Sequence, residues 1–517
     1  MAVTFCFYPK HEYACPQLRH CPHLGGAALG TVVLAANEGD EGFGWLNRQL
    51  DSARKSVSDL VAENEVLKRQ IEKLKLELKL ERQTKFATNR QRQTDPRSQA
   101  QPSDNASGRK PRKRGAPLGH PGWFRPTPTH YDALVEVPAP ARCPRCRGPV
   151  SVYASQPPSG HFQEDLIDGR RQVTLFRHPV ARCRSCRLWA QQPGEGEILK
   201  SMIGPRLRAM GLYLRHDIGI SLRKVPRAIE DLFGFHFTPA ALIGFEKLLS
   251  GTAESAAEDI RKKVAASDGA VNADETYWLL DGQRAYYWLH ATEQYIHFQF
   301  DTSRAGEVSR ELLGENFAGT LVTDCYSAYD AQGAKAKQKC LSHLARTARD
   351  WQKLTVPDSA AYSFFQAVKT WVQRGCEFHR QRAGLSSRRQ ADEKAWLRKE
   401  LARLVAAASE LDHEKAVTLQ ERIRRYADCW LVFLDDPRVP PTNNHAERCL
   451  RPLVILRKII FGHRTPSGAQ RMGWIMTIKE TAKRHGRRVI DVLYRLCTQF
   501  PDRVLRYIYG GPGMAGS

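Results

Sequence analysis

Three acids stand where the local sequence would hold a carboxylate at a shaped position: Asp274 in VNADETYW, Asp324 in GTLVTDCYSAYD and Glu447 in NNHAERCLRP. One acid alone is usually a solvated surface group. Three acids converging from separate elements would suit Mg²⁺, a hard cation that takes oxygen ligands and keeps several waters. Two such ions roughly 4 Å apart can activate an attacking oxygen and stabilise a leaving one across a phosphodiester. On this reading Asp274 bridges both ions, Asp324 serves the first and Glu447 the second.

A second chemistry resides in Cys143-Pro-Arg-Cys146 and Cys183-Arg-Ser-Cys186. A CxxC turn aims two thiolates at one point, and two such turns complete a tetrahedral Cys₄ shell for Zn²⁺. The segments between and around them, VEVPAP, GPVSVYAS and RRQVTLFRHPVAR, alternate like strands. Residues 127–195 therefore read as a zinc ribbon with a structural ion, which would contribute roughly 10–16 kcal/mol of binding energy to folding. Residues 1–44 carry Cys6, His11, Cys15, His20, Cys21 and His23. Their spacing matches no zinc template, so a second Zn²⁺ and a merely packed extension both stand as readings. Thirteen cysteines without a basic-then-apolar leader favour thiolates and metal over disulfides.

The elements that must position these groups follow from periodicity. Strand-like runs cover residues 270–280, 285–291 and 295–300, with Asp281-Gly282 as a hairpin turn, followed by a helix at 305–313. A fourth strand, 319–323, ends at Asp324. In the ribonuclease-H-like order the first strand runs beside the fourth, which sets Asp274 next to Asp324. That core spans residues 263–344, a helical insertion follows at 345–436, and 437–517 return with Glu447 and basic helices. Upstream, 196–262 are helical: SLRKVPRAIEDLFG stops at Gly234 and a new helix starts at Thr238-Pro239. This is a helix-turn-helix outline with AALIGFEKLLS as candidate recognition helix, and ordinary helix packing is the competing reading.

Residues 45–82 carry five heptads. Leu46, Ala53, Leu60, Leu67 and Leu74 fill one seam position; Leu50, Val57, Asn64, Ile71 and Leu78 fill the other. This pattern predicts a coiled coil, and a single seam Asn favours two strands in register, hence a homodimer. Residues 83–126 form a basic linker too poor in apolar residues to order itself. The formal charge is +24, with ten Lys or Arg against two acids between residues 85 and 125 and eleven against one between 448 and 488. Such clustering fits a polyanion, most simply double-stranded DNA. Lys110, Arg112, Lys113 and Arg114 in the linker, and Arg451, Arg457 and Lys458 after Glu447, are the candidate contacts. No run of about 18 apolar residues marks a membrane span. The expected location is the bacterial cytoplasm, at the nucleoid.

VNADETYW, GTLVTDCYSAYD, CLSHLAR, NNHAERCLRP and IIFGHRTPSGAQRMGWIMTIKETAKRHG, with GAPLGHPGW and the CxxC pairs upstream, resemble the DDE transposases of the insertion-sequence 66 family over residues 45–505. The resemblance implies that Asp274, Asp324 and Glu447 are the catalytic triad of an enzyme that binds element ends, cleaves them and joins the 3′ hydroxyl to target DNA. It also implies accessory proteins encoded by the same element. Cys340, His343 and Arg346 match the family's C-x-x-H-x-x-R element, and Asn444 and Arg451 match residues flanking its glutamate. Cys325 replaces the family's usual Gly, and Leu341 its usual aromatic. The expected architecture is multidomain α+β: coiled coil, zinc ribbon, helix-turn-helix region and a ribonuclease-H-like core with a helical insertion. A catalytically inactive or domesticated DNA-binding regulator and a purely hydrolytic nuclease are the alternatives.

Overall fold

The computed structural model describes residues 125–407, 411 and 413–510. The N-terminal segment at 1–44, the heptads at 45–82 and the linker through residue 124, with Lys110, Arg112, Lys113 and Arg114, lie outside them. What is described is a mixed α+β structure.

Strand β1 (Ala133–Glu136) runs parallel to β4 (Arg170–His178), which pairs antiparallel with β3 (Ser159–Ile167). The short strands β2 (Val150–Val152) and β5 (Ala181–Cys183) pair beside the CxxC turns. The sequence reading contains no β3, because its SGHFQEDLI buries polar Gln163, Glu164 and Asp165 and so breaks apolar alternation. Those acids are satisfied. Arg125 and Arg171 hold Glu164 at 2.7 and 2.6 Å, and Asp165 accepts the first amides of the next helix, from Arg206 and Leu207.

Helices α1 (Pro205–His216), α2 (Lys224–Phe233), α3 (Pro239–Leu248) and α4 (Ser250–Ala265) follow. The predicted stop and start are both present. Gly234 ends α2 in the left-handed region, and the Thr238 hydroxyl accepts the Ala241 amide ahead of Pro239. The candidate recognition helix α3 is turned mainly inward. Leu242 and Phe245 enter the core, and Glu246 is buried against Arg215 (2.8 Å) and His216 (3.0 Å). Burial alone would raise the Glu246 carboxyl, but donation from His216 and the Arg215 charge outweigh it and hold it at about 2. Burial also pushes His216 toward its neutral form, so Arg215 carries the counter-charge. The exposed residues of α3 are Ala240, Lys247 and Leu248, a sparse set for reading base edges.

The central sheet contains β6 (Ala270–Leu280), β7 (Gln283–Ala291), β8 (Ile296–Asp301), β9 (Asn316–Thr323) and β10 (Gly333–Lys339), with α5 (Glu307–Leu313) between β8 and β9. Its order is β10-β9-β6-β7-β8. β6, β7 and β8 are antiparallel, while β9 is parallel to β6 and β10 to β9. β10 is absent from the sequence reading: GAKAKQK has no apolar alternation to announce it. The helical run after the sheet forms α6 (Leu341–Gln352), α7 (Ala360–Gln381), α8 (Ser387–Ala406) and α9 (Glu414–Arg425). These four share a core of their own, built on Phe365, Trp371, Leu397, Ile423 and Phe433, that reaches the sheet at Val322. The chain then returns as α10 (Asn444–Ile460) and α11 (Pro466–Arg484), followed by α12 (Val489–Thr498) and α13 (Pro501–Tyr509).

Alternation along β6 divides the sheet's two faces. Val271 and Ala273 face α5 with Trp288 and Leu321. Trp278 and Leu280 face α10 and α11 with Tyr287, Phe298, Leu453 and Met472. Trp278 donates its indole N–H to His463 Nδ1 at 3.1 Å, which fixes the loop between α10 and α11. That loop needs Gly462: its φ is +142°, and a Cβ there would stand 2.2 Å from the Leu279 carbonyl oxygen.

Candidate active site

Asp274 lies on β6 and Asp324 directly follows β9. The parallel register pairs Ala270 with Thr320 and Asn272 with Val322; continued two residues past the last pair it brings Asp274 level with Asp324, whose charge acts on the Asp274 carboxyl. Paired residues of neighbouring strands share a face, and this face is the one covered by α10. Glu447 sits in the first turn of α10. The structure therefore brings the three sequence-predicted acids toward one face of the sheet.

Their electrostatics are those of crowded like charges. Asp274 is pushed up to about 8, first by burial and then by the Glu275, Asp324 and Glu447 carboxylates, against donation from the Glu275 amide. Glu447 Oε1 is buried with no hydrogen-bond partner, and His343 Nε2 stands 3.6 Å from it. A buried carboxylate oxygen without a donor and a neighbouring acid that holds its proton both ask for a cation. The three acids do not gather their oxygens within 4.8 Å; among the described residues only the four cysteines do so.

Several positioning groups have no signature in the sequence. Asn443, buried just before α10, donates to the Ala273 carbonyl at 2.8 Å and accepts from Asn272 at 2.9 Å. Its own amide donates to Cys340 Sγ at 3.0 Å, which gives that cysteine a structural task. Asn444, the neighbour picked out by motif, is exposed. Lys339 is fully buried and donates to the Thr323 hydroxyl (3.1 Å) and the Asp324 carbonyl (2.9 Å), pinning the turn that carries the acid. Glu275 points to the other face, where Arg304 (2.7 Å) and the Tyr329 hydroxyl (2.8 Å) hold it. An acid next to Asp274 on a strand could be noticed; the partners of Glu275 could not.

The two departures from the motif are accommodated. Burial pushes the Cys325 thiol up to about 11, so it adds no charge beside Asp324. Leu341 is buried in the core of the helical insertion. Of the candidate cations, Arg346, Arg451 and Lys458 are exposed. Arg457 is already engaged, donating to the Thr276 hydroxyl at 2.7 Å and the Tyr277 carbonyl at 2.6 Å while stacking on the Tyr277 ring.

The four cysteines meet as the spacing predicts. Cys143 and Cys186 stand 3.6 Å apart, and Cys146 and Cys183 3.5 Å. A sulfur tetrahedron with bonds of about 2.3 Å to Zn²⁺ has edges of roughly 3.8 Å, so the cage is the right size. The turn amides, first that of Cys186, hold the Cys183 thiol down at about 6, which prepares a thiolate ligand.

The sheet carries Asp274 on β6 and Asp324 just after β9, with Glu447 on the returning helix, and the family the chain matches makes it a nucleic-acid-processing enzyme. The family model described as "Transposase IS66 family" matches residues 200–471, just over half of the chain, and the chain belongs to that family. It is thus a transposase and binds DNA. It is also similar to the uncharacterized protein y4qI of Sinorhizobium fredii, with 23% identity over 443 residues that cover 77% of this chain and 76% of that protein. No helix among the described residues is long and apolar enough to cross a membrane.

Proposed function

We propose that this transposase cleaves and joins DNA at Asp274, Asp324 and Glu447, on a ribonuclease-H-like core. The observation that supports the reading is the approach of the three acids, with the β6–β9 register leading from Asn272–Val322 toward Asp274 and Asp324 and with the Asp324 and Glu447 charges both acting on Asp274. Three oxygen donors, one holding its proton to about 8 and one with a buried oxygen lacking a donor, fit Mg²⁺. Asp274 would be shared between two ions, with Asp324 on the first and Glu447 on the second. Magnesium supplies Lewis-acid activation of the attacking oxygen and stabilisation of the leaving one.

The chain's own residues hold this arrangement. Asn443 fixes the start of α10 against β6, and Lys339 fixes the turn of Asp324. Water attacks the phosphodiester at each element end and leaves a 3′ hydroxyl, which then attacks target DNA. No covalent enzyme intermediate is required. Exposed Arg451 and Lys458 hold backbone phosphates as point charges, with the basic linker, Lys110, Arg112, Lys113 and Arg114, contributing upstream. The heptads at 45–82 pair two chains, so that two ends are joined together, and the Cys₄ cage holds a structural Zn²⁺. Accessory proteins of the element complete the reaction at the bacterial nucleoid. The test is mobility of a marked mini-element carrying the gene's flanking ends, with accessory proteins supplied. Mobility lost in Asp274→Asn supports the reading, and equal mobility of both proteins sinks it.

A further inference from the structure

A cleft of about 560 Å³ opens beside Asp324, and its walls come from two different parts of the chain. Asp324, Tyr326 and His343 line the side of the sheet; Arg422 and Arg425 of α9 line the other, with Arg304 at the end. The helical insertion is therefore a wall of the cleft as well as a separately cored unit.

The three arginines differ in their partners. Arg304 is paired with Glu275 at 2.7 Å, and Arg425 donates to Asp330 at 3.2 Å. Asp330 also accepts the Tyr426 hydroxyl at 2.8 Å and faces Lys339 at 3.4 Å, so its charge is shared. Arg422 has no carboxylate partner among the described residues. It is half-buried, with its guanidinium 5.8 Å from the centre of the Trp351 ring. The exposed Glu421 also lines the cleft, but a guanidinium within cation–π range of an indole and without an ion-pair partner is available to a phosphate, which it can take through two parallel N–H donors. The cleft's volume lies within the range of small-ligand pockets, so it has room for one nucleotide.

We propose that this cleft receives the nucleotide adjoining the scissile phosphodiester and that Arg422 holds its phosphate, making α9 a positioning element of the reaction. The proposal rests on the assignment of Asp324 to the reacting centre. Asp324 and Arg422 line the same cleft, so a strand with its scissile phosphate at Asp324 presents the adjoining nucleotide to that cleft. Arg422 acts on geometry, and its loss should lower cleavage more than end binding.

The experiment uses the full chain and a duplex carrying the element's end. Phosphates within a few nucleotides of the cut are replaced one at a time by neutral methylphosphonate. Arg422→Ala should slow cleavage of the unmodified duplex roughly 10- to 100-fold, the scale of one charge-assisted hydrogen bond. At one flanking position the neutral phosphate should slow the wild type similarly and cost the variant nothing further. Arg422→Lys, which keeps the charge and the stem over Trp351, should recover part of the rate and covers the case of an unfolded alanine variant. Losses that add at every position, or a variant as fast as wild type, overturn the proposal. Should the wild type cleave no better than Asp274→Asn, the catalytic reading fails on its own. The same pair of substitutions is then read in the dissociation constant for the duplex ending at the cut. Coupling there sustains the cleft, and its absence removes it.

Discussion

Asn443 and Asn272 face each other across the seam between α10 and β6. The Asn272 side-chain amide donates to Asn443 Oδ1 at 2.9 Å, and Asn443 donates onward to the Ala273 carbonyl at 2.8 Å. Ala273 precedes Asp274, and Asn443 precedes the helix that carries Glu447, so one buried amide sets the spacing between two of the three acids. Replacing Asn443 with Ala strands a buried donor and a buried acceptor, at about 1–3 kcal/mol each. Denaturant melts should show that loss, and cleavage should fall further than DNA affinity. A variant that cleaves like wild type would remove Asn443 from the positioning of the site.

Asp274 makes the stability of the magnesium-free protein depend on pH. Its carboxyl is pushed up to about 8 in the folded chain against 3.8 ordinarily, so folding takes up a proton between those values. The stability tied to that proton is fully present below the ordinary value, falls as pH rises, and is gone above about 8. Asp274→Asn has no such group. In Mg²⁺-free buffer with zinc retained, its melting temperature should exceed that of wild type by a margin that widens from pH 5 to pH 8. A constant margin would refute the crowding of charges on this face.

Glu447→Gln keeps the shape of the side chain and removes its charge. DNA joining should fall on the order of 100- to 1,000-fold or more, the cost of losing a group needed at the reacting centre, while affinity for element ends changes little. Gel-shift titration beside a strand-transfer assay separates the two. Retained joining would take Glu447 out of the triad.

Cys143→Ser should lower the zinc content of the purified chain and unfold the β2–β5 knuckle, weakening end binding without touching the acids. Atomic absorption of variant and wild type gives the stoichiometry. Equal zinc and equal binding would show that the cage is not a metal site.

Much of this was legible in the sequence because it was periodic or punctuated. β6, β7, β8 and β9 announce themselves by apolar runs, Gly234 and Thr238-Pro239 mark a helix stop and start, and the CxxC spacing anticipates the sulfur cage. β3 and β10 were hidden because their buried positions are polar and satisfied by partners distant in sequence, such as Arg125 for Glu164. The same cause hid Asn443, Lys339 and the Arg304–Glu275 pair. The motif contains Asn444, which is exposed, and only the fold shows that its neighbour Asn443 faces inward. Arg457 looked available as one of a run of cations, and its partners on β6 appear only when α10 is docked.

The helical insertion leaves and re-enters the sheet at nearly one place. The Leu341 amide donates to the Pro441 carbonyl at 3.0 Å, and the Asn443 amide to Cys340 Sγ at 3.0 Å. About a hundred residues thus hang from a closed clasp, with a core largely their own that meets the sheet at Val322. A segment tied at its neck in this way can be lengthened or shortened in evolution away from the sheet while the clasp keeps its two ends beside the acids. Such changes would leave the chemistry in place while altering which stretch of DNA is gripped beside the cut.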